Sequence, residues 1–202
     1  MRKKVYSSGL PGREGAPAME AKTKSPTYAL AITAVMTAVI CVLAPMSIPV
    51  GDVPITLATL VIYLSLYLLG WRRGSLSVLV YILIGMAGMP VFSGFSGGLG
   101  KLAGATGGYL LGYLPMAAIA GWIVDHSRSR LVHMAGMVLG TAVCYGLGTA
   151  WYCFVTQSPL QAALWVCVIP FIPFDLIKMA ASIAAGPVLR DRLVRAGLSS
   201  EG

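Results

Sequence analysis

Ile169–Lys178, with the sequence IPFIPFDLIK, places an acid and a base three residues apart inside an otherwise apolar chain. A charged side chain at the centre of a bilayer costs roughly 2.5–3.5 kcal/mol on insertion scales. On a helix, Asp175 and Lys178 lie on the same side, with Cβ atoms about 5–6 Å apart. They form either an ion pair satisfied inside a helical bundle or a polar clamp for a ligand. We favour the clamp, because ionisable residues inside membranes are candidates for function.

The composition around this stretch is that of a membrane protein. The chain has 202 residues, of which 57% are hydrophobic and 11% charged, and its mean hydropathy is +0.79. Soluble domains carry about 25% charged residues. The net charge of +8 is spread over short basic clusters between apolar spans. No basic face is large enough to follow a phosphate backbone, so we expect no nucleic-acid partner.

The sequence carries no pattern for a metal or a cofactor. None of the four cysteines belongs to a CxxC motif, and neither His126 nor His133 has a second ligand at helical spacing. P-loop, GxGxxG and HExxH motifs are also missing from the sequence. We therefore expect a protein that binds no metal, cofactor or ATP.

The apolar spans predict an all-α membrane protein with six transmembrane helices in one domain, residues 26–196. The expected spans are Thr27–Leu43, Pro54–Leu69, Ser75–Met89, Gly104–Val124, Leu131–Phe154 and Pro173–Leu189. Pro159–Ile169 is too short to span the bilayer, which takes about 20 residues, and predicts a short outer segment. Residues 1–25 predict a disordered basic cytoplasmic tail, and residues 197–202 a C-terminal tail.

The basic residues predict the orientation in the membrane. Of the 15 Lys and Arg residues, Lys101 alone falls on one side of the predicted spans, Lys178 lies within a span, and the others share the opposite side. Cytoplasmic loops of membrane proteins are rich in Lys and Arg. We therefore expect both termini in the cytoplasm and the acid–base pair near the outer side.

A glycine-rich segment, Val91–Gly104, follows the third predicted span. Irregular backbone is not tolerated against lipid, so this segment is expected to be an outer loop between helices 3 and 4 that folds over a cavity. Such a cavity suits a small, mostly apolar ligand with a few polar groups. The expected lining residues, besides the acid–base pair, are Phe92, Phe95, Ser96, Tyr109 and Trp165.

Gly94–Gly98 (GFSGG) also matches the GxSG pattern of rhomboid-type intramembrane serine proteases, which gives an alternative function. That chemistry needs a histidine base beside the serine. His126 and His133 are predicted at the opposite side of the membrane from Ser96, which disfavours the protease.

Four stretches, in order, resemble the BioY family, the biotin-specific substrate-binding (S) component of energy-coupling-factor transporters. They are Ile48–Leu57 (IPVGDVPITL), Pro90–Gly98 (PVFSGFSGG), Ala105–Leu110 (ATGGYL) and Pro170–Lys178 (PFIPFDLIK). The resemblance covers roughly Ala29–Leu193. The chain departs from the family pattern at Ala58, Ala105 and Phe174, where Gln, Pro and Gly are usual.

The resemblance implies capture of biotin from outside and uptake across the cytoplasmic membrane of a prokaryote. It also implies a transmembrane coupling protein and two cytoplasmic ATPases as partners, although some family members are thought to work without them. Small residues on the first span, Ala34 and Ala38, are the implied docking face for the coupling protein. An S component for another vitamin is the remaining alternative.

The spacing of the acid–base pair predicts which end of biotin it holds. A urea presents a C=O acceptor beside two N–H donors, so Asp175 accepts from an N–H while Lys178 donates to the C=O. The valerate carboxylate lies too far away to share this helical turn, since a hydrogen bond reaches only about 3 Å. Lys101, the lone outer base, is its candidate partner.

Overall fold

The computed structural model describes residues 26–49 and 53–195, and most of these are helical. The elements are α1 (Pro26–Leu43), β1 (Ser47–Ile48), β2 (Ile55–Thr56), α2 (Ala58–Met86), α3 (Leu99–Ala103), α4 (Gly107–His126), α5 (Arg130–Thr156), α6 (Leu160–Cys167) and α7 (Ile172–Arg195). The two-residue strands pair antiparallel. The predicted tails, residues 1–25 and 197–202, lie outside the described residues.

The all-α prediction is confirmed, and four helices, α2, α4, α5 and α7, are long and apolar enough to cross a membrane. The helix count differs from the expected six, because the described residues form seven helices. Two predicted spans are joined in α2, while α3 forms inside the glycine-rich segment. The short segment expected at Pro159–Ile169 is the separate helix α6.

Helix α2 is broken at Gly70, whose φ of 75° and ψ of 173° are non-helical. A Cβ at Gly74 would lie 3.3 Å from the Cα of Leu66. In a straight helix, Leu66 and Gly74 would be about 12 Å apart, because they are separated by eight residues. Their close approach shows that the chain folds back between them. The carboxylate of Asp125 accepts a 2.7 Å hydrogen bond from the N–H of Trp71. The bend therefore divides α2 into two halves, residues 58–69 and 71–86.

Small residues on α4 and α5 let these two helices approach closely. A Cβ at Gly112 would lie 3.2 Å from the Cα of Cys144, and one at Gly140 would lie 2.8 Å from the carbonyl oxygen of Met116. A Cβ at Gly148 would overlap the ring of Tyr109. These contacts fix α4 against α5 with no space for larger side chains.

Helix α1 presents hydroxyl groups to α2 and small residues to its surroundings. Thr33 and Thr37 are buried, and the Ser77 hydroxyl of α2 donates to the Thr33 carbonyl oxygen at 3.3 Å. Ala34 and Ala38, one position further along, are exposed. Successive helical residues differ by about 100°, so the two kinds of residue occupy different faces.

The glycine-rich segment is tied to its neighbours rather than forming a free coil. The Gly98 N–H donates to the Gly85 carbonyl oxygen at 2.7 Å, and the Gly94 N–H to that of Pro45 at 3.1 Å. Phe92 is fully buried, and a Cβ at Gly85 would overlap its ring. The segment is thus anchored to the C-terminal end of α2 and the residues after α1.

Candidate functional site

Asp175 and Lys178 form an ion pair in the first turns of α7, with 2.9 Å between Lys178 Nζ and Asp175 Oδ1. Pro173 occupies the first turn of the helix. Backbone N–H groups there have no intrahelical acceptor, so a proline at this position costs no helical hydrogen bond. The side chains of Asp175 and Lys178 are 8% and 12% exposed. The spacing of three residues therefore brings both charges to one side, as the sequence predicts.

Two further helices supply hydroxyl groups to this ion pair. The Thr59 hydroxyl of α2 accepts from Lys178 Nζ at 3.2 Å and donates to Asp175 Oδ1 at 3.3 Å. The Tyr145 hydroxyl of α5 donates to Asp175 Oδ2 at 2.5 Å. We call Thr59, Tyr145, Asp175 and Lys178 the polar cluster. Hydrogen bonds to both carboxylate oxygens offset the cost of burying the charge.

The polar cluster borders a cavity of about 440 Å³, which we call the polar lobe. Beyond the cluster, the polar lobe is lined by hydroxyl and sulfur groups among apolar side chains. These groups belong to Thr56, Tyr109, Tyr113, Met116, Thr141, Cys144 and Cys167.

A second cavity of about 340 Å³, the loop lobe, adjoins the first. The two share Val53, Pro54, Thr56, Tyr109 and Tyr113 in their linings. The loop lobe extends to two residues on either side of α3, which are Ser93 and Thr106. The shared walls place one elongated space between the polar cluster and the glycine-rich segment.

Of the eight predicted cavity residues, the structure brings Asp175, Lys178 and Tyr109 to the two lobes. The other five line neither lobe. They are Phe92, Phe95, Ser96, Lys101 and Trp165.

The five residues range from fully buried to exposed. Phe92 is core, with its ring edge-on to Tyr81 at 5.6 Å between centroids. Phe95 and Trp165 are 68% and 64% exposed. The Ser96 hydroxyl donates to the Ser93 carbonyl oxygen at 2.8 Å, and Lys101 is partly exposed on α3.

The structure separates the groups that a serine protease brings together. Ser96 precedes α4 in the chain, whereas His126 ends that helix and His133 lies in the first turn of α5. The 20 residues of α4 span about 30 Å at the helical rise. His133 is bonded instead to the Tyr67 hydroxyl at 3.0 Å. Ser96 therefore has neither histidine as a general base.

The hydroxyl residues that complete the polar lobe were not among those predicted from the sequence. Thr59 is 116 residues from Asp175 in the chain, so no local pattern links them. A usable signal was nevertheless present: hydroxyl residues recur at three- or four-residue spacing on three apolar segments. These are Thr56 and Thr59, Tyr109 and Tyr113, and Thr141 and Tyr145. On α4 and α5 such spacing places both members of a pair on one side of the helix. Thr56 instead belongs to β2, directly before α2.

A family model described as the BioY family matches residues 18–195 of this chain. The biotin transporter BioY of Thermotoga maritima is 39% identical over 148 residues, covering 73% of this chain and 87% of that protein. The biotin transporter BioY2 of Lactococcus lactis is 35% identical over 152 residues, covering 75% of this chain and 84% of that protein.

A solved structure shares the fold. It is the crystal structure of the S-component for biotin from an ECF-type ABC transporter, with a TM-score of 0.75 and 29% sequence identity. The match covers 82% of this chain and 92% of that chain. The overall fold of this chain is therefore similar to that of this S-component.

Proposed function

This chain belongs to the BioY family, and on that premise we propose that it captures biotin and takes it up across the cytoplasmic membrane of a prokaryote. It is a transporter component and not an enzyme, with biotin as substrate rather than cofactor. Its role is that of the S component of an energy-coupling-factor transporter, working with a transmembrane coupling protein and two cytoplasmic ATPases.

The polar cluster is the observation that carries this proposal. An ion pair supported by two hydroxyl groups faces a partly open cavity whose other walls are mostly apolar and aromatic. A ligand that suits it has a compact polar head and an apolar body. Biotin has this character, because its ureido ring offers one carbonyl acceptor and two N–H donors on a fused, largely apolar bicycle.

We place the ureido ring on the polar cluster and the valerate carboxylate toward the loop lobe. Asp175 accepts from an N–H and Lys178 donates to the ureido carbonyl. Lys101 is the only Lys or Arg between residues 74 and 125, and its helix α3 lies in the segment that borders the loop lobe. It is our candidate for the carboxylate.

The proposed membrane placement uses six crossings. These are α1, residues 54–69 and 71–86 on either side of the bend in α2, α4, α5 and α7, with both termini in the cytoplasm. The basic residues beside the bend of α2, between α4 and α5, and at the end of α7 then share the cytoplasmic side, as the positive-inside rule favours. The glycine-rich segment and Lys101 face outward, over the cavity.

Mass spectrometry of the ligand that co-purifies with the protein tests the substrate. We expect biotin, and a different vitamin would instead make this chain an S component of other specificity. Calorimetric titration of biotin into ligand-free protein then gives the affinity of the unaltered chain.

Asp175→Asn tests the polar cluster. We expect biotin affinity to fall at least tenfold, because a hydrogen bond to a charged group contributes about 1.5–3 kcal/mol. Asp191→Asn, on an exposed position of the same helix, is the matched control and should leave affinity unchanged. An Asp175→Asn protein that unfolds normally on heating but binds biotin as tightly as the unaltered chain would refute the clamp.

A further inference from the structure

The side chain of Phe92, in the glycine-rich segment, is inserted against helix α2. It is fully buried, and a Cβ at Gly85 would overlap the tip of its ring, the Cζ, Cε1 and Cε2 atoms. The ring also lies edge-on to Tyr81, with 5.6 Å between the two centroids. Tyr81 and Gly85 are four residues apart on α2 and therefore share one side of that helix. We call these two residues the aromatic socket, because together they receive the ring.

The backbone that carries Phe92 is tied to the same turn of α2. Phe92 and Ser96 exchange two backbone hydrogen bonds, of 2.9 and 3.3 Å. The Gly98 N–H donates to the carbonyl oxygen of Gly85 at 2.7 Å, so a ring and a backbone group of the segment meet at one residue of the helix. Residues 92–98 are therefore attached to α2 at two points.

This attachment adjoins the loop lobe. Tyr81 of the aromatic socket and Ser93, the residue directly after Phe92, both line the loop lobe. Neither of them lines the polar lobe, and Phe92 itself lines neither cavity. The ring thus supports two wall residues of the loop lobe from behind, without facing the cavity.

Resting on the proposed function, we propose that Phe92 is a positioning residue for the loop lobe. Its ring in the aromatic socket holds Tyr81 and Ser93 at the end of the cavity that takes the side chain of the substrate. The glycine at position 85 leaves the space that the ring occupies. Binding of the ureido ring at the polar cluster does not depend on this contact, so Phe92 affects recognition of the valerate chain alone.

Phe92→Leu tests this role, because it removes the ring tip and keeps an apolar side chain in the core. We expect biotin affinity to fall about tenfold, because the ligand must then order a looser segment when it binds. A short analogue, with the fused bicycle of biotin and a methyl group in place of the valerate chain, should lose little affinity, because it does not reach the loop lobe. Competition against labelled biotin, with the full chain in detergent, measures both affinities.

Gly85→Ala tests the same contact from the side of α2. The added Cβ takes the place of the ring tip, so the ring has to leave the aromatic socket. We expect the same selective loss of biotin affinity as for Phe92→Leu. Combining Phe92→Leu with Gly85→Ala removes the overlapping ring atoms, and the double variant should regain part of the affinity that Gly85→Ala loses. Such non-additivity is expected of residues in direct contact.

Two matched controls make the same chemical changes away from the aromatic socket. Phe154→Leu removes the same atoms from a ring of α5 that is 74% exposed. Gly146→Ala adds a Cβ that meets nothing within 4 Å. Both controls should leave the affinities for biotin and for the short analogue unchanged.

The selective loss distinguishes positioning from a general effect on folding. Equal losses for biotin and the short analogue in Phe92→Leu, or no loss of either, would overturn the proposal. Thermal unfolding in detergent shows which variants are folded, and if Phe92→Leu does not fold, the same comparison with Gly85→Ala decides.

The outcomes also separate this inference from the proposed function. An unaltered chain that binds no biotin refutes the proposed function. An unaltered chain that binds biotin tightly, with variants that show no selective loss, refutes only the role of Phe92.

Discussion

A buried carboxylate is tolerated in this protein because both of its oxygens receive hydrogen bonds. Asp175 receives hydrogens from Lys178, Thr59 and Tyr145, which come from three helices. Removing one member of a buried ion pair is destabilising by about 3–5 kcal/mol, whereas the intact pair is close to neutral. The pair therefore adds little to stability by itself. Its proposed role is to form hydrogen bonds with a ligand in the polar lobe.

Lys101→Ala tests the other end of the proposed ligand. We expect biotin affinity to fall about tenfold, since the variant loses a charge-assisted hydrogen bond to the carboxylate. The affinity for the uncharged biotin amide should change little, and Lys101→Arg should preserve biotin binding. Titration of both ligands into both variants gives the comparison. Equal losses for biotin and its amide would reject Lys101 as the carboxylate partner.

Among the helices, the bend of α2 sets where Thr59 stands relative to α7. The chain reverses at Gly70, and the following half of the helix begins with the Trp71 N–H bonded to Asp125 of α4. A left-handed backbone suits glycine, because a Cβ adds roughly 1–2 kcal/mol of steric cost there. At Gly70 that Cβ would also lie 3.0 Å from the Asp125 carboxylate.

Gly70→Ala is expected to lower the free energy of unfolding by about 1–2 kcal/mol or more, because an alanine would be strained at the φ of 75° that the glycine adopts. The midpoint of thermal unfolding in detergent measures the effect. Gly146→Ala is the matched control, since a Cβ at that helical glycine of α5 meets nothing within 4 Å. Gly146→Ala should be neutral or stabilising, and equal destabilisation of both variants would contradict this account of the bend.

For the whole molecule, the two faces of α1 separate internal packing from external contact. Ser77 of α2 ties the two helices together, because its hydroxyl donates to the Thr33 carbonyl oxygen and its carbonyl oxygen accepts from the Thr37 hydroxyl at 3.5 Å. Ala34 and Ala38 are exposed on another face of α1. Small residues allow another helix to approach closely. We propose this face for the coupling protein, at a distance from the polar lobe, whose lining contains no residue of α1.

Ala34→Trp is expected to leave biotin binding unchanged and to reduce ATP-driven uptake severely, because the indole ring blocks close helix contact. Radiolabelled biotin uptake by cells that depend on the ATPase module measures the second effect. Ala142→Trp, at an exposed alanine of α5, is the matched control and should preserve uptake. Full uptake by the Ala34→Trp strain would reject this docking face.

Local periodicity and charge in the sequence were enough to predict most of the helices and the placement of the acid–base pair. Apolar spans bounded by prolines and basic clusters predicted the helices, and a spacing of three residues predicted that Asp175 and Lys178 share one side of α7. These features depend on neighbours along the chain, which is why the sequence alone contains them. Even the reversal at Gly70 was expected as a turn, because arginines and glycines interrupt the apolar pattern there.

Only the tertiary structure decided which side chains meet the acid–base pair. Thr59 and Tyr145 reach Asp175 because the bend of α2 and the close contact of α4 with α5 fix the positions of three helices. The same packing buries Phe92 in the core and leaves Trp165 exposed, although both look equally suited to a cavity in the sequence. A hydrogen bond depends on a separation of about 3 Å between groups, and that separation is set by the packing of helices that lie far apart in the chain.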